Sequence, residues 1–401
     1  MRELWILTAR HIRATLRSRT TPVLGLLYLM ALLAAIWLPG EARAEGGTVA
    51  LLALGALLIV LASVVASSGA LLPGDRLRGR EAWIRSTAPP AWKHRVAPAL
   101  AGAVLGVGAG VLGGFCTGIM LLMVAPHYAP RTPTPLALEG VEGRAPLIRR
   151  ARGPEDVGPT FVVPLAAKPE TPPAWVELEI APRIVVLLRR DADTGERRPT
   201  HYAADLLVDT VEASYAIDGG PWVTETIPVR SPWRIAVPAN AREVQVRNHS
   251  HLRHLAVLRA RSLGHAHGVI PTFLWAGLLL GIAAAAVAPV AVLFSRVVSA
   301  SSATAAGFVV FLFGSLRAPL LEIAASLSLE GPTQLARGLI EAVGTLVPDL
   351  PSVFVLSELA AERAVDLGSS AALVAPLTYF GLGFLLLMVP MPASWREYVA
   401  A

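Results

Sequence analysis

Six long apolar runs alternate with polar segments along the chain. They lie at about residues 21–38, 48–69, 97–125, 269–294, 302–323 and 371–391. About 20 apolar residues in a helix cover the hydrocarbon core of a bilayer, so each run is long enough to cross a membrane. The pattern predicts an α-helical polytopic membrane protein with six transmembrane helices.

The charges between these runs predict their orientation. Residues 1–20 contain five arginines, and residues 72–96 contain five arginines and one lysine. The segment at 39–47 holds one arginine against two glutamates. Short loops rich in lysine and arginine stay in the cytoplasm. We therefore expect residues 126–268 and 324–370 outside, and both termini inside.

Composition agrees with membrane residence and limits the other classes of function. The chain is 54% hydrophobic and only 16% charged, which is too little charge to cover a soluble chain of 401 residues. The net charge of +6 comes mainly from loops beside the runs, where topology and anionic headgroups account for it. Nucleic-acid binding is therefore not expected. The only cysteine, Cys116, lies within the third run, which excludes a disulfide framework within one chain.

Residues 126–268 form a distinct block between the third and fourth runs. A proline-rich stretch opens the block and is typical of an extended linker. Short segments rich in β-branched and aromatic residues follow, and residues 217–222 carry the Asp-Gly signal of a hairpin turn. We expect an extracytoplasmic β-sandwich-like domain. Its strands are predicted near 160–165, 174–188, 205–217, 222–229, 233–237, 243–247 and 255–259.

Residues 1–20 predict an amphipathic helix before the first run. Trp5, Ala9, Ile12 and Leu16 form an apolar stripe, with arginines on the adjacent side. Such a helix on the basic side of the membrane is typical of the cytoplasmic headgroup level. The alternative is a topology signal with no further role.

Residues 324–370 also contain helical periodicity. Apolar positions from Leu335 to Leu346 recur at helical spacing, and residues 357–364 predict a second helix after a proline break. This outer helical segment either lies along the membrane surface, dips in and out of it, or packs as a cap on the sandwich.

Histidines are concentrated towards the end of the β-block. A His-x-His pair on a strand places both imidazoles on one face, where they can chelate copper or zinc. However, no carboxylate or thiol is close in sequence, and nearby arginines would oppose a cation. Surface histidines are the favoured interpretation, and the weak metal candidates are His249, His251, His254, His265 and His267.

Two charged residues lie in the outer half of the fifth run. Arg317 and Glu322 are five positions apart, so they do not share a helical face. They either line a translocation path or mark a fifth helix that ends early, near Leu316. An ion-coupled carrier generally needs more buried ionisable groups or interrupted helices in matching halves. We therefore expect any transport to draw its energy from elsewhere.

The cytoplasmic loop at 72–96 has the richest local pattern. Residues 77–86 predict a short helix with Trp83 and Ile84 among its apolar anchors, ended by Pro89 and Pro90. This loop is charged, carries aromatic residues and is too short to be a domain, so it suits docking to a soluble partner. An ordinary basic inner loop is the alternative. No Gly-x-x-x-x-Gly-Lys-Ser/Thr motif occurs in the chain, so no P-loop for nucleotide is expected.

Three stretches resemble the membrane subunit of an ABC transporter, of the type-2 (exporter) permease family. Residues 4–19 are similar to the family's interfacial connecting helix, and residues 79–95 to its coupling segment. Residues 346–351, with 373–388, resemble its outer helix pair and last span. The insert at 126–268 departs from the family pattern, because a short loop usually joins the third and fourth spans.

The resemblance implies a non-catalytic permease subunit of a transport ATPase in the cell (inner) membrane. A separate ATPase subunit would use the ATP, and this chain would hold no cofactor. The other implied partners are an identical or second permease chain, the lipid bilayer and an extracytoplasmic protein. The implied coupling residues are Arg80, Glu81, Trp83, Ile84, Arg85, Pro89, Trp92 and Lys93, and the bracing helix carries Trp5, Ile12 and Leu16. The alternative is a membrane-anchored ligand-binding or assembly protein whose β-domain performs recognition.

Overall fold

The computed structural model divides the chain into two compact units. The helical unit comprises Met1–Pro130 and His267–Ala401, and the sheet unit comprises Arg131–Ala266. The structure describes residues 1–18, 20–37, 46–77, 90–136, 146–151, 156–165, 175–184, 188–190, 197–199, 210–228, 232–249, 253–326, 332–365 and 373–389.

The described part of the helical unit contains ten helices. In chain order they are α1 (Arg2–Leu16), α2 (Thr20–Ile36), α3 (Gly46–Leu77), α4 (Ala91–Val124), α5 (Val269–Phe294), α6 (Ala300–Ser315), α7 (Arg317–Ser326), α8 (Pro332–Leu346), α9 (Ser352–Ala360) and α10 (Val374–Met388).

Among the described residues, three helices are long and apolar enough to cross a membrane. They are Gly46–Leu71 within α3, Trp92–Val124 within α4, and Val269–Phe294, which is α5. The shorter ones have 26 residues, or about 39 Å, against roughly 30 Å of hydrocarbon core. The chain thus has the helices of a membrane protein together with a separate sheet unit.

The other three predicted spans correspond to shorter helices. α2 has 17 residues, α6 has 16 and α10 has 15, which is roughly 23–26 Å of helix. The run at 302–323 is divided because Leu316 leaves helical geometry (φ −99°, ψ 5°) and Arg317 starts a new helix. α1 and α2 meet at 60° and would add one span if they crossed together. Length among the described helices therefore supports three or four spans rather than six.

α4 and α5 pack with their backbones in direct contact. A Cβ added to Gly110 would overlap the carbonyl oxygen of Gly277, and one added to Gly114 would overlap that of Phe273. Gly106 and Gly118 continue the same row at intervals of four residues and also face α5. Small residues at this spacing let membrane helices approach closely. The sequence of α4 thus fixes the centre of the helical unit.

α9 packs where α4 ends and where α3 and α5 begin. The Tyr128 hydroxyl donates to the Leu359 carbonyl oxygen at 2.6 Å, and Gly47 lies against the Ala360 carbonyl. Ser315, at the end of α6, donates to Ser352 at 3.0 Å. Val355 and Leu359 belong to the same buried cluster as the cores of α3 and α5. The segment after α8 is therefore an integral part of the helical packing.

The described part of the sheet unit contains eleven strands. They are β1 (Arg131–Pro135), β2 (Leu147–Ile148), β3 (Phe161–Pro164), β4 (Trp175–Ile184), β5 (Leu188–Arg190), β6 (Arg197–Pro199), β7 (Thr210–Ile217), β8 (Val223–Pro228), β9 (Trp233–Ala236), β10 (Glu243–Asn248) and β11 (Arg253–Ala266). One sheet has the order β1-β11-β4-β9, with β2 also on β11. A second has the order β3-β10-β7-β8, and β5 pairs with β6. All described pairings are antiparallel.

The two larger sheets share one hydrophobic core. Val176 and Leu178 of β4 are buried in the same cluster as Val244 and Val246 of β10. β10 alternates half-buried and buried positions along its six residues, as a strand with one face on a core does. β7 and β8 are joined at Asp218 (φ 49°) and Gly219 (φ 74°). Both positive values suit a tight turn at the Asp-Gly pair, where the Gly220 N–H donates to the Ile217 carbonyl oxygen at 2.8 Å. The last paired residues are Tyr215 and Val223, so this turn lies within a longer connection.

Candidate coupling junction

Most of the predicted coupling loop lies outside the described residues. This applies to Arg80, Glu81, Trp83, Ile84, Arg85 and Pro89. The described chain resumes at Pro90, and α4 begins at Ala91. Trp92 and Lys93 therefore lie in the first turn of α4, at the exit of the loop. The contacts of this turn are the described contacts that lie nearest to the loop.

Lys93 joins the first turn of α4 to α1. Its Nζ lies 2.7 Å from Glu3 Oε2 and 5.9 Å from the centroid of the Trp92 ring. The hydrogen bond and positive charge of Lys93 lower the pKa of Glu3. Trp92 packs against the apolar cluster that contains Leu4. A predicted coupling residue thus contacts the predicted bracing helix.

α1 packs on the other helices through a third face, which differs from both its predicted apolar stripe and its arginine-bearing side. Its buried positions are Leu4, Thr8, His11 and Thr15. The Thr8 hydroxyl donates to the Leu4 carbonyl oxygen at 2.8 Å, so the polar group is satisfied within the helix. Trp5 and Leu16 remain 62% and 53% exposed, and Ile12 is half-buried. The predicted interfacial stripe therefore faces away from the helical unit.

Hydroxyl groups stabilise the bend between α1 and α2, which we call the elbow. The carbonyl oxygen of Thr15 accepts from Ser18 Oγ at 2.7 Å and from Thr21 Oγ1 at 2.6 Å. These bonds satisfy a carbonyl that the end of α1 would leave without an intrahelical partner. The short connection bends the chain by 60°. The direction of α1 is therefore set by local hydrogen bonds as well as by packing.

Two arginines hold the end of α10. Arg95, in α4, donates to the carbonyl oxygens of Met388 and Val389, both at 3.1 Å. Arg296, just after α5, donates to Val389 at 3.2 Å and to Leu386 at 3.5 Å. Cationic donors suit the last carbonyls of a helix, which carry the negative end of its dipole.

We name this region the coupling junction: α1, the first turns of α4, the last turns of α5 and the end of α10. Its apolar centre is a buried cluster made by Leu4, Val96, Ala97, Ala99, Val292 and Leu387. The first two turns of α4 hold α1 through Lys93 and α10 through Arg95. Both contacts therefore leave from the same helix, directly after the loop.

Arg317 occupies a different part of the helical unit. Its Nε donates to the Gly344 carbonyl oxygen at 2.7 Å, and its Nη1 lies 3.7 Å from Asp349 Oδ2. Arg317 therefore fastens the start of α7 to the end of α8. The side chain of Glu322, the other predicted path residue, lies outside the described residues.

The described histidines of the β-block have separate partners. His249 Nε2 lies 2.8 Å from Ser214 Oγ, whereas the Arg150 backbone N–H donates to His254 Nδ1 at 3.0 Å. His251 and the side chain of His265 lie outside the described residues, and His267 is exposed. Among the residues that the structure describes, no group of three or more candidate ligands could hold a metal ion.

Several residues of the junction carry no obvious sequence signal. Arg95 and Arg296 bind backbone carbonyls, which any residue supplies, so their partners could not be read from side-chain types. The glycine row of α4 does have a sequence signal, because glycines at intervals of four in an apolar helix are a recognised sign of close packing.

Comparison with known proteins adds no family to these observations. No model of a known protein family, no curated protein and no solved structure matches this chain.

Proposed function

We propose that this chain is the permease subunit of an ATP-driven exporter, coupled to a separate ATPase subunit through residues 77–93. The observation that carries the proposal is the ion pair between Lys93 and Glu3 at 2.7 Å. It connects the end of the proposed docking loop to the helix proposed to brace it. In this reading Trp5, Ile12 and Leu16 keep the bracing helix at the membrane surface.

The connectivity of α4 supports a mechanical role for its first turns. The docking loop leads directly into Lys93, and Arg95 follows within the same helix. Lys93 contacts α1 and Arg95 contacts α10. Further along, the glycine row of α4 packs on the backbone of α5. Closure of an ATPase against the loop would therefore move four helices as one connected set.

The proposed topology has six crossings of the cell (inner) membrane with both termini in the cytoplasm. The basic segments at 1–20 and 72–96 support this orientation. The shorter helices α2, α6 and α10 would cross with local thinning of the bilayer or with flanking residues at the interface. The sheet unit would then lie outside the membrane, where it receives or hands on cargo. Two permease chains would complete the transporter.

Charge reversal at the Lys93–Glu3 pair tests this coupling. We expect Glu3→Lys or Lys93→Glu to lower the transport-coupled ATP hydrolysis of the purified complex, and the double reversal to restore it. The expected loss is modest, about severalfold, because water screens a pair whose carboxylate is exposed. Reversing Arg337 and Glu341, an exposed pair on α8, should leave coupling unchanged. The proposal fails if no ATPase subunit co-purifies, or if the single reversals have no effect.

A second function deserves a test because the sheet unit has its own closed core. In that reading, the chain is a membrane-anchored binding or assembly protein, and the helices only hold the sheet unit. Ligand binding by the purified chain would then be the same with and without an ATPase subunit and ATP. A transporter predicts that ATP turnover changes the binding.

A further inference from the structure

α1 has three sectors, and only one of them packs on the protein. At 100° per residue, Leu4, Thr8, His11 and Thr15 occupy the buried sector. The adjoining sector is apolar and turned outward. The next sector carries Arg2, Arg13 and Arg17, all exposed, with the exposed Ile6 among them. Apolar and basic surfaces thus lie side by side on the outward half of one helix.

The outward surface of α1 is more positive than the summed charges of residues 1–20 suggest. Glu3 is the only acidic residue among residues 1–20, and it is paired with Lys93 at 2.7 Å. The pairing turns the one carboxylate of α1 towards α4 and lowers its pKa, which keeps it ionised and bound to Lys93. The exposed arginines therefore meet no competing carboxylate from their own helix.

The elbow directs α1 along a membrane surface. The neighbouring α2 is apolar throughout and exposes Val23, Leu26, Leu27 and Met30, as a lipid-facing helix does. If α2 stands in the bilayer, the 60° bend turns α1 towards the membrane plane. The Thr15 carbonyl, held by Ser18 and Thr21, fixes that bend. The apolar sector of α1 then meets acyl chains, and the basic sector meets headgroups.

We propose that Arg2, Arg13 and Arg17 bind the phosphates of anionic phospholipids, so that α1 docks selectively on an anionic leaflet. Each basic residue near an anionic surface contributes about a fivefold factor in binding, so three give roughly a hundredfold preference. The attraction is electrostatic and weakens as salt rises. The inference does not depend on an ATPase partner, because the occupant is the bilayer itself.

Two alanines on opposite sides of α1 provide matched reporters of this docking. Ala9 lies in the apolar sector and Ala14, about 140° away around the helix, is exposed. Because Cys116 is the only cysteine, a Cys116→Ser background allows a single spin label at Ala9→Cys or Ala14→Cys. The full chain is placed in nanodiscs of phosphatidylcholine alone or with one-quarter phosphatidylglycerol. Collision rates with oxygen and with a water-soluble nickel chelate then report the depth of each label.

With phosphatidylglycerol, the label at Ala9→Cys should gain oxygen contact and lose nickel contact, each by severalfold, whereas the label at Ala14→Cys should stay accessible to nickel. Arg2→Gln, Arg13→Gln and Arg17→Gln together should abolish the lipid dependence. The matched control neutralises three exposed arginines of the sheet unit, Arg149, Arg242 and Arg259, and should preserve it. Equal label depths in both lipids would overturn the proposal. An equal loss of the lipid dependence in the two triple variants would also overturn it. Burial of the Ala9→Cys label only after an ATPase subunit is added would also overturn it, in favour of a protein partner.

Discussion

Arg363 and Glu358 form a buried ion pair across the end of α9, with Arg363 Nη1 2.9 Å from Glu358 Oε1. The backbone N–H of Arg363 also donates to the Glu358 carbonyl oxygen at 2.8 Å, and that of Glu362 donates to Leu359 at 3.1 Å. These two bonds define the Schellman ending of a helix. An apolar contact normally accompanies this motif, and here the two buried charges occupy its place.

The pair predicts an asymmetric response to substitution. Removal of one partner takes away a counter-ion that lies 2.9 Å from a buried charge, so Arg363→Met or Glu358→Leu should each lower the free energy of unfolding by about 3–5 kcal/mol. The double variant should cost less than either single change, because both charges have gone. Thermal unfolding of the detergent-purified chain measures the three variants. Arg337→Met, which breaks an exposed pair, should cost less than about 1 kcal/mol. Additive losses in the double variant would contradict the ion-pair explanation.

Glu362 stores backbone strain in the same motif. Its φ of 53° places it in the left-handed region, which costs a residue with a side chain about 1–2 kcal/mol and which glycine enters freely. Glu362→Gly should therefore raise the unfolding free energy by about 1 kcal/mol, seen as a higher midpoint of thermal unfolding. Ala361→Gly is the matched control, because Ala361 has φ −86° and gains nothing from glycine. If both variants lower the midpoint, the strain at Glu362 is not released by glycine.

The contact between α4 and α5 predicts a position-specific effect of bulk. Gly110→Leu would place a side chain where the Gly277 carbonyl lies, so the helices must separate at a cost of about 1–3 kcal/mol or more. Gly108→Leu adds the same group two residues away, where nothing lies within 4 Å of an added Cβ, and should be neutral. Unfolding in detergent, with yield of folded protein as a second readout, checks both variants. Equal losses at the two positions would contradict the backbone contact.

The sequence was most informative where one periodicity is sustained. The three membrane-length helices lie in long apolar runs, and the alternation at 243–247 matches the burial of β10. Asp218 and Gly219 adopt the left-handed backbone that their hairpin signal predicts. Each of these signals depends on local geometry, so tertiary packing rarely overrides the structure that it predicts.

The packing partners of helices were much less predictable. The end of α6 at Leu316 matches the interpretation of a fifth helix that ends early, but the contact of Arg317 with the Gly344 carbonyl in α8 could not be read from the sequence. The packed face of α1 mixes Leu4 with Thr8 and His11, so polarity does not mark it. Such features depend on contacts made far along the chain. The glycine row of α4 was different, since its spacing was readable in the sequence itself.

The arginine contacts on α10 predict local opening when they are removed. Arg95→Gln with Arg296→Gln would take away the charged donors to the last carbonyls of α10. Hydrogen bonds from charged groups contribute about 1.5–3 kcal/mol, so amide exchange at residues 384–389 should accelerate by tenfold or more. Arg296→Lys should give a smaller change, because lysine cannot present two donors in a fixed fork. Arg242→Gln, in the sheet unit, is the control. Unchanged exchange in the double variant would show that packing alone holds α10.

His254 predicts that the sheet unit loses stability in mild acid. Burial lowers its pKa from 6.5, and the charges of Arg150 and Arg149 lower it further. Its Nδ1 accepts the Arg150 backbone N–H at 3.0 Å, which requires the neutral ring. Below pH 6.5 the unfolded chain takes up a proton that the folded chain resists, so the unfolded state gains stability. The contribution of His254 is therefore complete above pH 6.5 and is lost as the pH falls towards the lowered pKa.

The loss of this stability can be measured between pH 7.5 and 5.5 as amide hydrogen exchange at residues 253–260, corrected for the intrinsic effect of pH. His254→Asn keeps an acceptor for the Arg150 N–H but cannot titrate, so it should flatten the part of the pH dependence that His254 causes. His267→Asn changes an exposed histidine and should retain the dependence of the natural chain. Other titrating groups act equally in all three proteins, so the difference between the curves isolates His254. Parallel curves for the natural chain and His254→Asn would place the acid sensitivity elsewhere.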